Sequence, residues 1–275
     1  MSGKLYLVAT PIGNLEDITL RALRILKEVD LIAAEDTRNT LKLLNHFEIS
    51  KPLISYHRHN EEIKVDSLIE KIKNGENIAV VSDAGTPGIS DPGEVIAKEA
   101  IKNNIEVIPI PGACAAINAL IASGLDTTEF SFFGFLPLNK KLRKEKLIEI
   151  KDETKTCVIY EAPHKLKNTL QDLKEIVENR KIVLAREITK IHEEFIRGNI
   201  EEIISKSENL KGEMIILIEG SKKQKEQCSL NNLSLEEHYE YYQKQGLDKK
   251  EIIKNIAKDR GVSKNEIYMN FVNKK

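Results

Sequence analysis

The chain has no tryptophan and three cysteines among its 275 residues. Cys114, Cys157 and Cys228 are odd in number and far apart in the sequence, so they fit neither a disulfide framework nor the spacing of a metal site. No apolar run approaches the roughly 18 residues of a membrane span, and no charged and apolar leader opens the chain. These absences predict a cytoplasmic protein that neither binds a metal nor enters a membrane.

The chain also lacks an excess of charge of either sign, since its formal net charge is -1. No overall basic field therefore indicates nucleic acid. The charge is unevenly distributed, however: residues 221–275 carry 12 Lys and Arg against 8 Asp and Glu. This mildly basic tail is a hint of an anionic partner. The length predicts two or three domains rather than one core.

The most informative stretch runs from residue 80 to residue 93. A buried strand is predicted at 78–81, since a short run of mostly β-branched residues follows the turn pair Asn74-Gly75. Glycines and Asp83 follow, and Asp91-Pro92 then predicts a helix that begins at about Pro92 with Asp91 as its N-cap. A loop of this kind at the carboxyl end of a strand is typical of a ligand site in α/β sheets. The alternative is a tight strand-to-helix connection.

Strands and helices alternate through both halves of the chain, which predicts two facing α/β domains. The other predicted strands lie at 4–9, 31–34, 53–56, 105–110, 130–135, 156–160, 181–185, 193–197 and 214–218. Helical patterns follow several of them, at 15–29, 115–123 and 163–178. The predicted domains are 1–120, 121–222 and, beyond a polar linker at 221–232, a helical domain at 233–275.

The helical domain contains three helical patterns, at 235–245, 248–258 and 263–272. A short turn with Gly261 joins the last two, and Ser263 with Glu266 forms a capping pair. Two helices joined in this way predict a helix-turn-helix. This domain either binds nucleic acid or is a small helical bundle that forms dimer contacts.

Eight short motifs in fixed order carry a family resemblance. They are residues 10–19 (TPIGNLEDIT), 34–38 (AEDTR), 59–61 (HNE), 82–87 (SDAGTP), 111–112 (PG), 134–137 (GFLP), 160–164 (YEAPH) and 185–190 (AREITK). Together they resemble the ribosomal RNA small subunit methyltransferase I family of the tetrapyrrole methylase superfamily. The glycine-rich opening of the corrin-making branch is replaced by residues 10–14 (TPIGN), which counts against a tetrapyrrole substrate.

The resemblance implies transfer of a methyl group from S-adenosylmethionine to the ribose 2'-hydroxyl of a cytidine in the decoding region of 16S rRNA. It also implies a two-domain α/β fold with the donor in the cleft, a homodimer, the small ribosomal subunit as partner, and no metal. Carried over by position, the implied donor site consists of Pro11, Asp83, Thr86, Cys114, Ala115, Tyr160, Ala185 and Glu213.

A ribose hydroxyl is a weak nucleophile, so we expect a base to help remove its proton. His59 is the first candidate because histidine titrates near neutrality, although a loop histidine is commonly a surface residue. Its competitors are Glu35, Asp36 and Glu161. Glu35 and Asp36 follow the strand at 31–34 and form either a polar site or an ion pair at a helix cap.

Basic side chains near these motifs are the candidate RNA contacts. They are Arg38, Lys140, Lys141, Arg143, Arg186 and Lys190. Guanidinium and ammonium groups hold phosphates well, and ordinary ion pairing is the alternative. Two other functions fit the same residues: methylation of a small macrocycle, and RNA binding without catalysis on a methylase fold.

Overall fold

The first half of the protein forms a parallel sheet covered on both faces. The structure, a computed structural model, describes residues 2–208, 210–222, 230 and 233–272. Within them five strands pair in the order β3-β2-β4-β1-β5: β1 (Leu5–Val8), β2 (Leu31–Ala34), β3 (Leu53–Ser55), β4 (Ile78–Val81) and β5 (Val107–Ile110). All four pairings are parallel, so the carboxyl ends of these strands share one edge.

Four helices and a short 3-10 helix at Leu15–Asp17 accompany this sheet: α1 (Leu20–Glu28), α2 (Thr37–His46), α3 (Glu61–Lys73) and α4 (Glu94–Lys102). Apolar residues of α1 and α2 pack with one face of the sheet. Those of α3 and α4 pack with the other. Because both faces are covered, β4 is buried throughout its length, as its continuous apolar sequence requires.

The second half forms a mixed sheet. In the described part of the chain five strands pair in the order β6-β7-β10-β8-β9: β6 (Phe130–Phe135), β7 (Thr156–Glu161), β8 (Ile182–Arg186), β9 (Glu194–Gly198) and β10 (Met214–Ile218). β6 is parallel to β7, and the other pairings are antiparallel. The amino end of β10 therefore lies beside the carboxyl end of β7.

Helices also cover both faces of the second sheet: α5 (Ala115–Ser123), α6 (Lys140–Asp152), α7 (Pro163–Lys174) and α8 (Ile200–Lys206). Helix α5 packs on one face, whereas apolar residues of α6, α7 and α8 pack on the other. Since α5 follows β5 of the first sheet and packs on the second, we propose that the two α/β units divide just before this helix.

Several elements differ from the sequence predictions. The helix predicted from Pro92 begins at Glu94, and Gly93, with a φ of 144°, takes the N-cap position in place of Asp91. The amphipathic pattern at 15–29 is broken into the 3-10 helix and α1. Helices α2, α3, α6 and α8 were not predicted. Helix α6 is highly charged and buries only Ile150, whereas α3 buries Val65, Leu68, Ile69 and Ile72 on one face, a helical spacing that its sequence does contain. The predicted linker at 221–232 lies mostly outside the described residues.

The carboxyl-terminal residues form three helices at the predicted places: α9 (Leu235–Lys244), α10 (Lys249–Asp259) and α11 (Lys264–Val272). Their apolar core is centred on Ile252, Ile256 and Ile267. No helix in the described part of the chain is long and apolar enough to cross a bilayer.

A buried polar network joins α9 to the end of α10. The fully buried His238 lies with its Nε2 3.2 Å from Asp259, and Arg260 Nε donates to His238 Nδ1 at 3.2 Å. The Tyr242 hydroxyl also donates to Asp259. Burial lowers the pKa of His238, so the neutral ring with its proton on Nε2 fits these partners.

We predict that Asp259→Ala destabilises the helical unit by about 3 kcal/mol, because it leaves two buried donors without their shared acceptor. Four of the seven tyrosines lie in this unit and the chain has no tryptophan, so tyrosine fluorescence during urea unfolding measures the change. Lys258→Ala at the exposed neighbouring position is the control. Equal stability of the two variants would contradict the structural role of the network.

Candidate active site

A cavity of about 350 Å³ lies where the edges of the two sheets meet. The first sheet contributes the segments that follow β2, β4 and β5. The second contributes the end of β7 and the start of β10. Eight of the residues predicted for the site line this cavity: Glu35, Asp83, Thr86, Cys114, Ala115, Tyr160, Glu161 and Glu213. Strand ends from both halves thus meet around one space of the size that small-molecule ligands occupy.

The loop after β4 presents bare backbone to the cavity. Thr10 and Gly85 exchange two backbone hydrogen bonds of 2.9 and 3.0 Å, and the Thr86 hydroxyl donates to the Ala113 carbonyl at 3.0 Å. Gly85 has a φ of 87°, and a Cβ there would lie 3.1 Å from Ile12 Cγ2. The positive φ therefore favours glycine at this position, and a larger residue would also crowd Ile12.

The carboxylates of the first sheet are held by hydrogen bonds. Asp83 accepts from the backbone N-H of Asp36 at 3.0 Å and from Asn39 Nδ2 at 3.3 Å. The backbone N-H of Asp83 donates to Glu35 Oε2 at 3.2 Å. This reciprocal pattern fixes the ends of β2 and β4 against each other.

Asp36 itself lies outside the cavity lining. Its carboxylate caps α2 by accepting from the Arg38 backbone N-H at 2.8 Å, and it pairs with the Arg38 guanidinium at 2.6 Å. The Arg38 side chain holds the pKa of Asp36 low, at about 2. Asp36 and Arg38 thus form an ion pair at a helix cap, which was one of the two alternatives predicted from the sequence.

The second sheet contributes Tyr160 and Glu161. The Tyr160 hydroxyl accepts from the Ala116 N-H at 3.1 Å, and the rings of Phe132 and Phe135 lie 5.0 and 5.6 Å from its ring. Burial raises the pKa of Tyr160 to about 12. Glu161, 4% exposed, accepts from the Ala162 N-H at 2.8 Å and from the Thr169 hydroxyl.

A loop after β8 reaches across to the first unit. Lys190 Nζ lies 3.0 Å from Glu187 and 3.3 Å from Glu213, and its aliphatic stem occupies the space where a Cβ on Gly13 would lie. Thr189 donates to Asp17. Lys190 and Pro11 line a second cavity of about 480 Å³, which shares Asp83 with the first.

The remaining predicted residues lie away from the cavity lining. His59 is exposed, with its ring 6.0 Å from that of His57. Ala185 is buried in β8 opposite Ile215, which does line the cavity. Lys140 and Lys141 are exposed at the start of α6.

Two further predicted basic residues are engaged in ion pairs, as Arg38 and Lys190 are. Arg143 pairs with Asp172 at 2.8 Å and also donates to Thr169. Arg186 pairs with Glu194 at 2.7 Å. Both guanidinium groups are largely covered, with 18% and 20% of the side chains exposed.

Sequence reasoning missed Asp91, which lines the cavity. The sequence predicted a helix cap there, but the helix begins three residues later. Burial, followed by the nearby carboxylate of Glu35, raises the pKa of Asp91 to about 7. The available signal was its position in the same glycine-rich loop as Asp83.

Five carboxylates line the cavity, and among the described lining residues there is no lysine or arginine: Glu35, Asp83, Asp91, Glu161 and Glu213. Within a partly enclosed space such charges favour a cation. In the described part of the chain no group of three or more His, Cys, Asp and Glu side chains is arranged to hold a metal ion.

We predict that Gly85→Ala weakens binding of S-adenosylmethionine, the donor that the sequence resemblance implies, about tenfold, because the new methyl group pushes against Ile12 in the cavity wall. Gly124→Ala is the matched control, since Gly124 also has a positive φ but has no atom within 4 Å of its added Cβ. Both changes lower stability by about 1 to 2 kcal/mol. Calorimetric titration of both variants measures the affinity, and equal affinities would contradict the assignment of the wall.

Comparison with known proteins agrees with this geometry. The family model of the Tetrapyrrole (Corrin/Porphyrin) Methylases matches residues 4–204. Among solved structures, the methyltransferase CobJ aligns with a TM-score of 0.61 at 18% identity, over 80% of this chain and 95% of that one. Uroporphyrin-III-C-methyltransferase from Thermus thermophilus aligns with a TM-score of 0.56 at 21% identity, over 79% and 94%. The chain thus has the tetrapyrrole methylase fold.

Curated relatives are much more similar in sequence. Ribosomal RNA small subunit methyltransferase I of Halalkalibacterium halodurans is 53% identical over 270 residues, which cover 97% of this chain and 93% of the relative. The protein of the same name from Bacillus subtilis is 49% identical, with the same coverage. The chain therefore belongs to the ribosomal RNA small subunit methyltransferase I family of the tetrapyrrole methylases.

Proposed function

We propose that this enzyme transfers the methyl group of S-adenosylmethionine to the ribose 2'-hydroxyl of a cytidine in the decoding region of 16S rRNA. The chain is an S-adenosylmethionine-dependent methyltransferase that acts on rRNA, as its family membership indicates. The observation that carries the proposal is the cavity between the sheets, lined by five carboxylates. Family membership gives methylation of rRNA, and we propose in addition the cytidine, the ribose 2'-hydroxyl and the decoding region as its target.

The cavity suits the donor in charge and in shape. When bound, S-adenosylmethionine supplies an activated methyl group on a positively charged sulfur, and the lining carboxylates attract that charge. We assign the donor's amino-acid portion to Asp83 and Thr86, beside the small residues Cys114 and Ala115 at the start of α5. The amino end of that helix favours a carboxylate.

The second sheet supplies the opposite wall. We assign the adenosine to the side formed by Tyr160 and Glu213, whose strand ends border the cavity. Pro11 and Ala185 do not line the cavity, but each adjoins a residue that does. Pro11 precedes Ile12, and Ala185 pairs with Ile215. Residues from both units thus fix one orientation of the donor.

Alignment is the main task in this reaction, because the donor is already activated and the oxygen must approach to about 3 to 3.5 Å. A base then accepts the hydroxyl proton. Of the four bases considered from sequence, Glu35 and Glu161 line the cavity, whereas His59 and Asp36 do not.

We propose that exposed basic side chains hold the RNA. Arg38, with 85% of its side chain exposed, follows the cavity-lining end of β2, and Lys140 and Lys141 open α6 shortly after Phe135, which lines the cavity. Arg38 pairs with Asp36, and Arg143, Arg186 and Lys190 also pair with carboxylates in the free protein. Arg143, Arg186 and Lys190 remain proposed RNA contacts.

We also propose a cytoplasmic homodimer that works on the small ribosomal subunit. Apolar side chains on α5 and the edge strand β6 support a dimer contact: Ile117, Ile121, Phe130 and Phe132 are 42%, 68%, 39% and 36% exposed. Burial of such a patch is favourable.

The proposed reaction predicts one labelled nucleotide. Purified protein is incubated with methyl-labelled donor and small subunits that lack the modification, and the labelled RNA is digested to nucleosides. The expected product is 2'-O-methylcytidine from the decoding region of 16S rRNA. Label on a base, or on a tetrapyrrole instead of RNA, would contradict the proposal; RNA binding without donor binding would identify a non-catalytic module.

For the RNA surface we predict that K140E/K141E lowers affinity for the small subunit at least tenfold at low salt. It also reduces the slope of log affinity against log salt by about 1 to 2, because phosphate contacts are lost. K98E/K102E on α4 is the control, since both lysines are highly exposed. Unchanged affinity and slope in the first variant would exclude the start of α6 from the interface.

A further inference from the structure

Asp91 differs from the other carboxylates of the cavity. Glu35, Asp83, Glu161 and Glu213 each accept at least one hydrogen bond, from a backbone N-H or from a side chain. No described residue forms a hydrogen bond or ion pair with the Asp91 carboxylate. Because the Asp91 carboxylate accepts no hydrogen bond from the described residues, its oxygens are available to accept a proton from a ligand in the cavity.

The position of Asp91 is fixed through its backbone. The Arg58 guanidinium donates to the carbonyl of Ser90, and Ser90 has a φ of 64°. The N-H of Gly88 donates to the Pro92 carbonyl at 3.2 Å, and Gly93 lies so close to Gly88 that a Cβ would approach Gly88 N to 3.0 Å. The loop therefore holds the carboxylate in place while its oxygens stay unengaged.

The surroundings of Asp91 favour proton uptake near neutral pH. Burial is the largest influence, and the carboxylates of Glu35, Asp83 and Glu213 add repulsion, whereas Arg58 opposes them. Tyr160 lines the same cavity as Asp91, and its hydroxyl stays neutral at physiological pH because burial raises its pKa. The result is a pKa of about 7 for Asp91, which suits proton transfer at working pH.

We propose that Asp91 is the catalytic base that accepts the proton of the attacking hydroxyl. This inference rests on the proposed methyl transfer to an RNA hydroxyl. The oxygen-hydrogen bond breaks and the proton passes to a carboxylate oxygen of Asp91. The hydroxyl oxygen bonds to the methyl carbon while the carbon-sulfur bond breaks and leaves its electron pair on sulfur. A carboxylate and a sulfonium become a carboxylic acid and a thioether, so charge is conserved, and Asp91 then returns its proton to water.

Two pH dependences follow from this role. The rate rises with pH through about 7 in the free enzyme, because only the ionised carboxylate accepts a proton. The donor's positive sulfur favours the ionised carboxylate, so S-adenosylmethionine binds more tightly as pH rises through the same range. The neutral product S-adenosylhomocysteine lacks this charge and shows a much weaker dependence.

The test compares wild type with Asp91→Asn and Asp91→Glu, and uses Glu94→Gln, an exposed neighbour, as the control. Methylation rates and calorimetric affinities for the donor and for S-adenosylhomocysteine are measured from pH 5.5 to 8.5. We expect Asp91→Asn to lower kcat at least a hundredfold with affinity for S-adenosylhomocysteine within about threefold of wild type. The ratio of donor to product affinity rises with pH in wild type and is flat in Asp91→Asn. Asp91→Glu retains part of the rate and the rise with pH.

An equal loss of affinity for both ligands in Asp91→Asn would overturn the proposal, because it would place Asp91 on a group that donor and product share. An unchanged rate or an unchanged pH profile would also overturn it. Thermal unfolding of Asp91→Asn at or above the wild-type temperature shows that any loss of rate is not a loss of fold. A wild-type protein that binds the donor but methylates no RNA contradicts the proposed function instead.

Discussion

Repulsion among carboxylates that share one cavity is the constraint on which this site depends. Ionised acids in a partly enclosed space raise one another's pKa unless donors stabilise them. The protein supplies such donors, largely from the backbone, to the acids at the ends of β2, β4 and β7. Asp91 alone among the lining acids that the structure describes receives none. An unbalanced negative charge thus remains at the place where, in the proposed reaction, a cationic donor and a weakly acidic hydroxyl meet.

The carboxylates share one cavity only while the two sheets keep their positions relative to each other. Tyr160 of the second sheet accepts from the start of α5, the helix that directly follows the first sheet. On another side of the junction Lys190 lies along Gly13, and Thr189 donates to Asp17. These contacts join strand ends that are far apart in the chain. A shift between the units would therefore change the proposed donor site and the position of Asp91 relative to it.

The sequence predicted the strands well and the polar contacts poorly. Residues 78–81 and 214–218 are continuous apolar runs, and such runs leave little choice once both faces of a sheet are covered. Arg143 lies in a basic stretch, and its contact with RNA stays a prediction, but periodicity did not show that α7 brings Asp172 to it. Asp91 was predicted to cap a helix because Pro and Glu follow at the right spacing, whereas Gly93 takes that position. A side chain from a distant helix decides the case of Arg143, and the backbone conformation of Gly93 decides that of Asp91. Neither is visible in a single sequence.

Proton release on donor binding tests the account most directly. Calorimetric titrations at pH 7 in two buffers of different ionisation enthalpy count the protons exchanged when a ligand binds. The account predicts that S-adenosylmethionine releases a fraction of a proton from the wild-type protein, that S-adenosylhomocysteine releases much less, and that the difference disappears in Asp91→Asn. Equal proton exchange for the two ligands in wild type, or an unchanged difference in Asp91→Asn, would contradict it.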